Sequence, residues 1–365
     1  MLTLSVSRWR QAHSIVWQRY AGVSLAAWLY AACAVMALTG LMWDGAWHQS
    51  WGRDTFFIPP HDMMYASITG LFVISAVILL SAQKLGEQAA PAGSAVAPAP
   101  AGVRLIFSGC LTLFAAAPFD EWYHRTYGVD NGTGLWSPPH FMGMVGGLLG
   151  CLGLLLLLRA ERQMDVRPPA RPRWLGNLTA NDALTLIVFA LITLIVGGLS
   201  MNFWAIRQWY RVEGTFYPWL GLMFGPMVLV MAQRVTRRAG AASISFAIPF
   251  LFMGGMGALL SALKYPLVVS LPVMAIPSAL LLDWLYARYG SGYRWLLAAG
   301  PLVSLVFYIA EYYWAWFLTG HPWHNLPLVL WTIPAAILNC TAMMLLGAWF
   351  VSQLERVDYF RQRLP

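Results

Sequence analysis

Charge is scarce in this chain. Of its 365 residues 10% are Asp, Glu, Lys or Arg, against about a quarter in an ordinary soluble domain, while 59% are hydrophobic and 19 are tryptophan. A water-soluble surface cannot be built from that stock, so lipid must be the solvent for most of the surface. Cysteine is equally thin: Cys33, Cys110, Cys151 and Cys340 lie singly inside apolar segments without C-x-x-C spacing, which argues against a disulfide framework and a zinc knuckle. A continuous basic face is also missing. The net charge of +8 comes from arginines in short clusters between apolar runs, so no nucleic acid is expected as a partner and the arginines read as topology signals. Finally, Arg8, Arg10 and Arg19 precede an apolar run that continues to Trp43 without a small-residue cleavage site. A retained first helix is expected, not a signal peptide.

What the chain has instead is long apolar runs. Stretches of the roughly 20 residues needed to cross a bilayer occur at about 22–43, 62–83, 102–120, 140–158, 182–203, 216–233, 244–263, 266–285, 295–318 and 326–350. The expected fold is all-α, a polytopic membrane bundle of ten transmembrane helices arranged as five hairpins. The even-numbered connections carry Lys84 and Arg104; Arg159, Arg162, Arg167, Arg171 and Arg173; Arg234, Arg237 and Arg238; and Arg288 and Arg294, with Arg356, Arg361 and Arg363 near the C-terminus. By the positive-inside rule both termini are then cytoplasmic, as for a protein of the bacterial inner membrane. The Ala/Pro/Gly stretch 86–101 is of low complexity and is expected to be a mobile cytoplasmic loop. The connection 159–178 contains RPPARPR, which suggests a four-helix half at 1–160, a basic linker at 161–180 and a six-helix half at 181–365 of unassigned role.

Six of the seven histidines fall on the opposite, extracytoplasmic side. The first outer connection contains Asp44, His48, Arg53, Asp54 and then Pro59-Pro60-His61; the second contains Asp120, Glu121, His124, Asp130 and then Pro138-Pro139-His140. Each is an aromatic residue, an Asp, a His four residues later, a Gly with an Asp two residues on, and Pro-Pro-His before the next apolar run, which is an internal repeat. Residues four apart on a helix share a face, so Asp44 with His48, and Asp120 with His124, can point at one ion. Proline opens helices because its missing N–H is not needed there, and His61 and His140 can then supply the third ligand. Two imidazoles and one carboxylate with open positions suit iron, copper or zinc.

The plainer alternative is that interfacial His, Asp and Trp anchor helix ends among lipid headgroups. Duplication of a three-ligand spacing argues against it, since ionisable residues at membrane helix ends are costly. Arg53, Asp54, Glu121 and Asp130 are candidates to hold the ligands from behind, because a ligating imidazole needs a partner for its other nitrogen. Further along, Glu311 sits inside an apolar run and His321-Pro-Trp-His324 follows it. These three form a weaker candidate for a third metal site or a site of metal uptake, with Glu311 expected to face the bundle interior or a hydrated cavity. The third connection, around Asn202, Trp204, Arg207 and Glu213, has no histidine and reads as ordinary interface. His13, alone on the inner side, reads as structural.

The first motif resembles the C subunit of the copper membrane monooxygenases, the particulate methane and ammonia monooxygenase family. The family reads approximately Asp-x-x-Trp-His-Gln-x-x-x-Arg-Asp-Thr-x-Phe-x-Pro-x-His, and Asp44, Trp47, His48, Gln49, Arg53, Asp54, Thr55, Phe57, Pro59 and His61 fall on it. The resemblance implies that Asp44, His48 and His61 are the ligands of one copper site and carry catalysis through the bound metal. The second motif is similar to the family's second copper site, Asn-Glu-Trp-x-His followed by Pro-x-His. Glu121, Trp122 and His124 match, His140 arrives later, and Asp120 stands where the family has Asn. That carboxylate adds negative charge to the second site. The resemblance covers about residues 20–160 and does not extend to 181–365.

What it implies is a copper-dependent monooxygenase, or a subunit of one, that activates O₂ near the extracytoplasmic face and hydroxylates a small apolar substrate. Additional monooxygenase-type subunits or an electron donor are then expected partners besides the lipid bilayer, and a homo-oligomer is open. The alternative from the residues alone is a non-catalytic metal transporter, sensor or copper-loading membrane protein. A third is a degenerate structural subunit of a larger oxidase.

Overall fold

A computed structural model describes residues 14–51, 56–89, 101–128, 137–165, 173–176, 178–201, 216–265, 275–290, 292–319 and 326–362. Among them the chain is almost wholly helical, with ten long helices: α1 Leu25–Trp51, α2 Pro59–Ala89, α3 Ala101–Tyr127, α4 Pro138–Asp165, α5 Ala180–Met201, α6 Phe216–Thr236, α7 Ala241–Ala262, α8 Ala275–Tyr289, α9 Arg294–Thr319 and α10 Leu326–Gln362. Each apolar run in the sequence overlaps one of them. Seven (α1 to α4, α7, α9 and α10) are long and apolar enough to cross a membrane, and α5 contributes a shorter apolar segment, Ala180–Val196. Large apolar side chains such as Leu41, Val73, Leu80, Leu111, Leu251, Leu259 and Leu338 are exposed along these helices, the pattern of an integral membrane protein whose outer surface meets lipid.

Two helices run further than the composition suggests. The helix formers Glu87, Gln88 and Ala89 carry α2 through residues 86–89 of the Ala/Pro/Gly stretch, and only 90–100 lie outside the described residues. Helix α4 continues to Asp165, so Arg159 and Arg162 are helical residues. Both extensions end shortly before prolines, Pro91 and Pro168, which cannot continue a helix.

The chain divides into two compact units. The first comprises Met1–Arg167, Thr179–Leu191 and Gly255–Val268. In it α1 packs on α2, α2 on α3 and α3 on α4. The α3–α4 seam is backbone against backbone. A Cβ added at Gly109 would stand 2.6 Å from the Gly146 carbonyl oxygen and one at Gly146 would stand 2.9 Å from the Gly109 oxygen, while Gly102 and Gly153 face each other in the same reciprocal way. The glycines are spaced by seven on both helices, so one face of each is kept bare over two turns and no side chain holds the axes apart. Between α1 and α2 the Tyr30 and Ser75 hydroxyls lie 3.1 Å apart. Between α2 and α3, Phe72 stacks on Phe107 with its edge to Phe114, at 4.9 and 5.7 Å between centroids.

At the other end of this unit, acidic side chains are consumed by helix starts. The Ser24 hydroxyl accepts the Ala27 N–H at 3.2 Å and donates to Glu161 of α4 at 2.5 Å, and the Ser24 N–H donates to the same carboxylate at 3.0 Å. Glu161 thus ties the start of α1 to α4 while satisfying N–H groups that a helix start leaves unpaired. Thr179 and Asp182 cap α5 reciprocally, and Asp182 also pairs with Arg162.

The second unit comprises Pro168–Leu178, Ile192–Gly254 and Val269–Pro365. Its core includes Phe246, Leu282, Leu296, Phe307, Cys340 and Met344. Buried Asp283 of α8 accepts Gln233 Nε2 at 2.8 Å and the Ala242 and Ser243 N–H groups at 3.2 and 2.8 Å. A carboxylate on one helix therefore caps the start of another, which gives buried groups on both their hydrogen-bond partners.

The seam has a direct test. Gly109→Val is expected to lower the thermal unfolding transition of the detergent-solubilised protein by the equivalent of about 1–3 kcal/mol, because the obstructing atom is a carbonyl that cannot rotate away. Gly143→Ala, whose Cβ meets nothing within 4 Å, is expected to leave the transition in place or raise it slightly.

Candidate metal centres

Asp44 and His48 lie in the last turns of α1, and His61 is the third residue of α2. Pro59 and Pro60 occupy the first two positions of α2, and its first backbone bond runs from the Asp62 N–H to the Ile58 carbonyl. The second set is built alike. Asp120 and His124 lie in the last turns of α3, and His140 follows Pro138 and Pro139 at the start of α4, whose first bond joins the Phe141 N–H to the Ser137 carbonyl. Helix spacing brings the first two groups of each set together, and the paired prolines start the next helix at the point that brings in the third.

In the first set, His48 Nε2 and His61 Nε2 stand 3.1 and 2.9 Å from one oxygen, Asp44 Oδ1. In the second, His124 Nε2 and His140 Nε2 stand 3.0 and 3.1 Å from Asp120 Oδ1. Donor atoms about 2.0–2.2 Å from a common ion are about 2.8–3.6 Å apart when the angles between them are about 90–110°, so the imidazole–carboxylate distances of both sets suit a coordination shell. Among the described residues these are the two groups of three or more His, Cys, Asp or Glu that can hold a metal ion. All six side chains are partly or wholly buried, from 6% exposed at His124 to 30% at His140.

One histidine of each set has a backbone partner for its other ring nitrogen. His61 Nδ1 lies 3.0 Å from the Phe56 carbonyl oxygen. A carbonyl only accepts, so Nδ1 carries a proton, and in the neutral ring Nε2 is then the nitrogen that presents a lone pair. Asp44 Oδ1 is buried yet receives no hydrogen bond of proper direction, although two imidazole nitrogens surround it. With both rings neutral and Nε2 unprotonated, a cation held between these nitrogens and the carboxylate would be the favourable occupant. His124 repeats the arrangement: Nδ1 lies 3.3 Å from the Gly128 carbonyl oxygen, and Nε2 is buried without a hydrogen bond despite being 3.0 Å from Asp120 Oδ1.

These two carbonyls are the functional groups that side-chain motifs miss. Gly128 terminates α3 with a positive φ of 84°, its N–H bonded to the His124 carbonyl, and this left-handed cap turns its own oxygen back to the imidazole. The Tyr127-Gly128 pair after His124 is the available sequence signal, read as a helix stop. Gly40 is the other. It lies one turn before Asp44, and a Cβ there would stand 2.8 Å from Met64 Cγ and 3.0 Å from the Pro60 carbonyl oxygen, so its bareness lets the start of α2 reach α1.

Of the residues expected to support the ligands, Glu121 instead pairs with exposed Arg125 one turn later, at 2.5 Å. Arg53, Asp54, Asp130, His321 and His324 lie outside the described residues. Glu311 is buried in α9 and its Oε2 has no hydrogen bond. Around the two centres, Trp51, Phe57, Trp122, Tyr127 and Phe141 are all more than half exposed, as aromatic side chains are at a membrane interface.

No known protein family, curated protein or solved structure matches the chain.

Gly40→Val is expected to displace the first turn of α2 and weaken metal binding at Asp44, His48 and His61 by about 10–100-fold, the range for losing support behind the ligands. The second centre, which shares none of these contacts, should keep its affinity. Metal titration against a competing chelator measures both.

Proposed function

We propose that this chain is an integral membrane metalloprotein that holds copper at two centres, Asp44/His48/His61 and Asp120/His124/His140, and works as a copper-dependent monooxygenase or a subunit of one on a small apolar substrate. The observation that carries the metal reading is the convergence, twice, of two imidazole nitrogens on one carboxylate oxygen, with His61 and His124 giving their Nδ1 protons to backbone carbonyls. Copper over iron or zinc, and oxygen chemistry over storage, follow from the resemblance of residues 44–61 to the monooxygenase C subunit. Ten membrane spans follow from the apolar runs, and cytoplasmic termini with centres at the extracytoplasmic face from the distribution of Arg and Lys.

Bound copper would supply the one-electron chemistry that O₂ activation requires. The chain's own residues hold the ion and set its charge. Each centre offers one carboxylate and two neutral imidazoles, so a single negative charge meets the ion and vacant positions are left for an exogenous ligand. Partial burial keeps bulk water away, and the exposed aromatic and aliphatic surface beside the centres suits an apolar substrate that arrives through lipid. Metal transport is disfavoured on this reading. The inner halves of the first four apolar runs contain almost no ionisable residues, so they offer few charged ligands for an ion passing inward.

Metal analysis and EPR of the purified protein test the proposal. Two copper ions per chain are expected, with one lost in Asp44→Ala and the other in Asp120→Ala. Metal content at background, or unaltered copper in His48→Ala and His61→Ala, would refute it. Uptake of copper by vesicles that is abolished in His61→Ala would establish transport in its place.

A further inference from the structure

In both motifs an aromatic residue stands immediately before each of the first two ligands. Trp43 and Trp47 precede Asp44 and His48, and Phe119 and Tyr123 precede Asp120 and His124. The rings of each pair meet edge to face, at 6.3 Å and 75° for Trp43 and Trp47 and at 6.2 Å and 79° for Phe119 and Tyr123. Successive residues are about 100° apart around a helix, so each aromatic pair forms a stripe beside the stripe of ligands. The repeats part at the first aromatic. The indole N–H of Trp43 donates to the Tyr265 hydroxyl at 3.3 Å, whereas Phe119, its counterpart, has no polar atom to offer.

Tyr265 follows the end of α7, in the segment Gly255–Val268 that belongs to the first unit. The Leu260 carbonyl accepts the Tyr265 N–H at 2.9 Å, the Ser261 carbonyl accepts the Lys264 N–H at 2.9 Å, and Lys264 is left-handed with φ 65°. These paired bonds are a helix stop that usually has glycine at the left-handed position. The hydroxyl that meets Trp43 is thus carried by a defined turn.

We infer that Tyr265 is a positioning residue for the first centre: by accepting the Trp43 N–H it fixes the rotation of the last turns of α1, which carry Asp44 and His48. The inference rests on the metal reading above. It gives the first centre a support from beyond residues 20–160, where the resemblance ends. Helix ends fray, and both α1 ligands lie in the last turns. Gly40 lets one side of this segment lie against the start of α2, and Tyr265 holds the neighbouring side. Ligands ordered before the ion arrives leave less ordering to be done on binding. Phe119 cannot form this tether, so the device belongs to the first centre.

The test uses the full-length protein carrying Asp120→Ala or, if that variant does not fold, His140→Ala, so that copper binds at the first centre alone. Copper affinity by chelator competition and the copper EPR spectrum are measured in this parent, with Tyr265→Phe, with Trp43→Phe and with both. Tyr265→Phe removes the acceptor and keeps the ring, and Trp43→Phe gives the first motif the residue type that the second has. Tyr265→Phe is expected to weaken copper binding about 2–10-fold, the equilibrium equivalent of one hydrogen bond, and to alter the hyperfine pattern. In the Trp43→Phe background it is expected to change neither. The same substitution in Asp44→Ala protein reads the second centre, whose affinity and spectrum should stay as they are. Unaltered first-centre affinity in Tyr265→Phe, a loss that persists in the Trp43→Phe background, or an equal loss at the second centre overturns the inference and leaves the metal reading standing. A wild type that binds no copper overturns both.

Discussion

The first four helices are organised around two places where a pair of imidazoles converges on one carboxylate, groups that could hold a metal ion. Asp44 Oδ1 and Asp120 Oδ1 are each approached by two imidazole nitrogens at 2.9–3.1 Å. For His61 and His124, the other nitrogen donates its N–H to a backbone carbonyl. The helices impose this convergence in a partly buried place. The surrounding structure consists largely of means to impose it.

Those means are unlike side-chain interlocking in a soluble core. In lipid there is little hydrophobic gain from bringing two helices together, so association depends on close packing and small residues. Gly102, Gly109, Gly146 and Gly153 bring the backbones of α3 and α4 together, and Gly40 allows the start of α2 to lie on α1. At the far end of the same unit, Glu161 and Asp182 hold helix starts. With both ends defined, His61 and His140 on neighbouring helices can be placed against carboxylates to within a hydrogen-bond length. In the second unit, Asp283 does for α7 what Glu161 does for α1. Acidic side chains are scarce in this chain, and several of the buried ones serve as helix caps.

The centres were legible because their ligands repeat. Asp-x-x-x-His on a helix and Pro-Pro-His at the start of the next are periodic facts, and the helix places them on one face without help from the rest of the fold. The supports were not legible. Glu121 beside the ligands suggested a carboxylate behind an imidazole, yet it reaches Arg125, the neighbour its own helix turn provides. The groups that hold His61 and His124 are the carbonyls of Phe56 and Gly128, and every residue has a carbonyl, so no residue type marks them.

The sequence by itself determined the membrane setting, the helices and which six side chains belong in two sets. Hydropathy and helical periodicity are local properties and need no knowledge of distant contacts. Only the tertiary structure decided that Nε2 faces the carboxylate, that α3 and α4 meet at bare backbone, and that Tyr265 accepts the Trp43 N–H. Each of these depends on how far apart two helices stand and where a chain turns, and such distances are set by packing between residues remote in sequence.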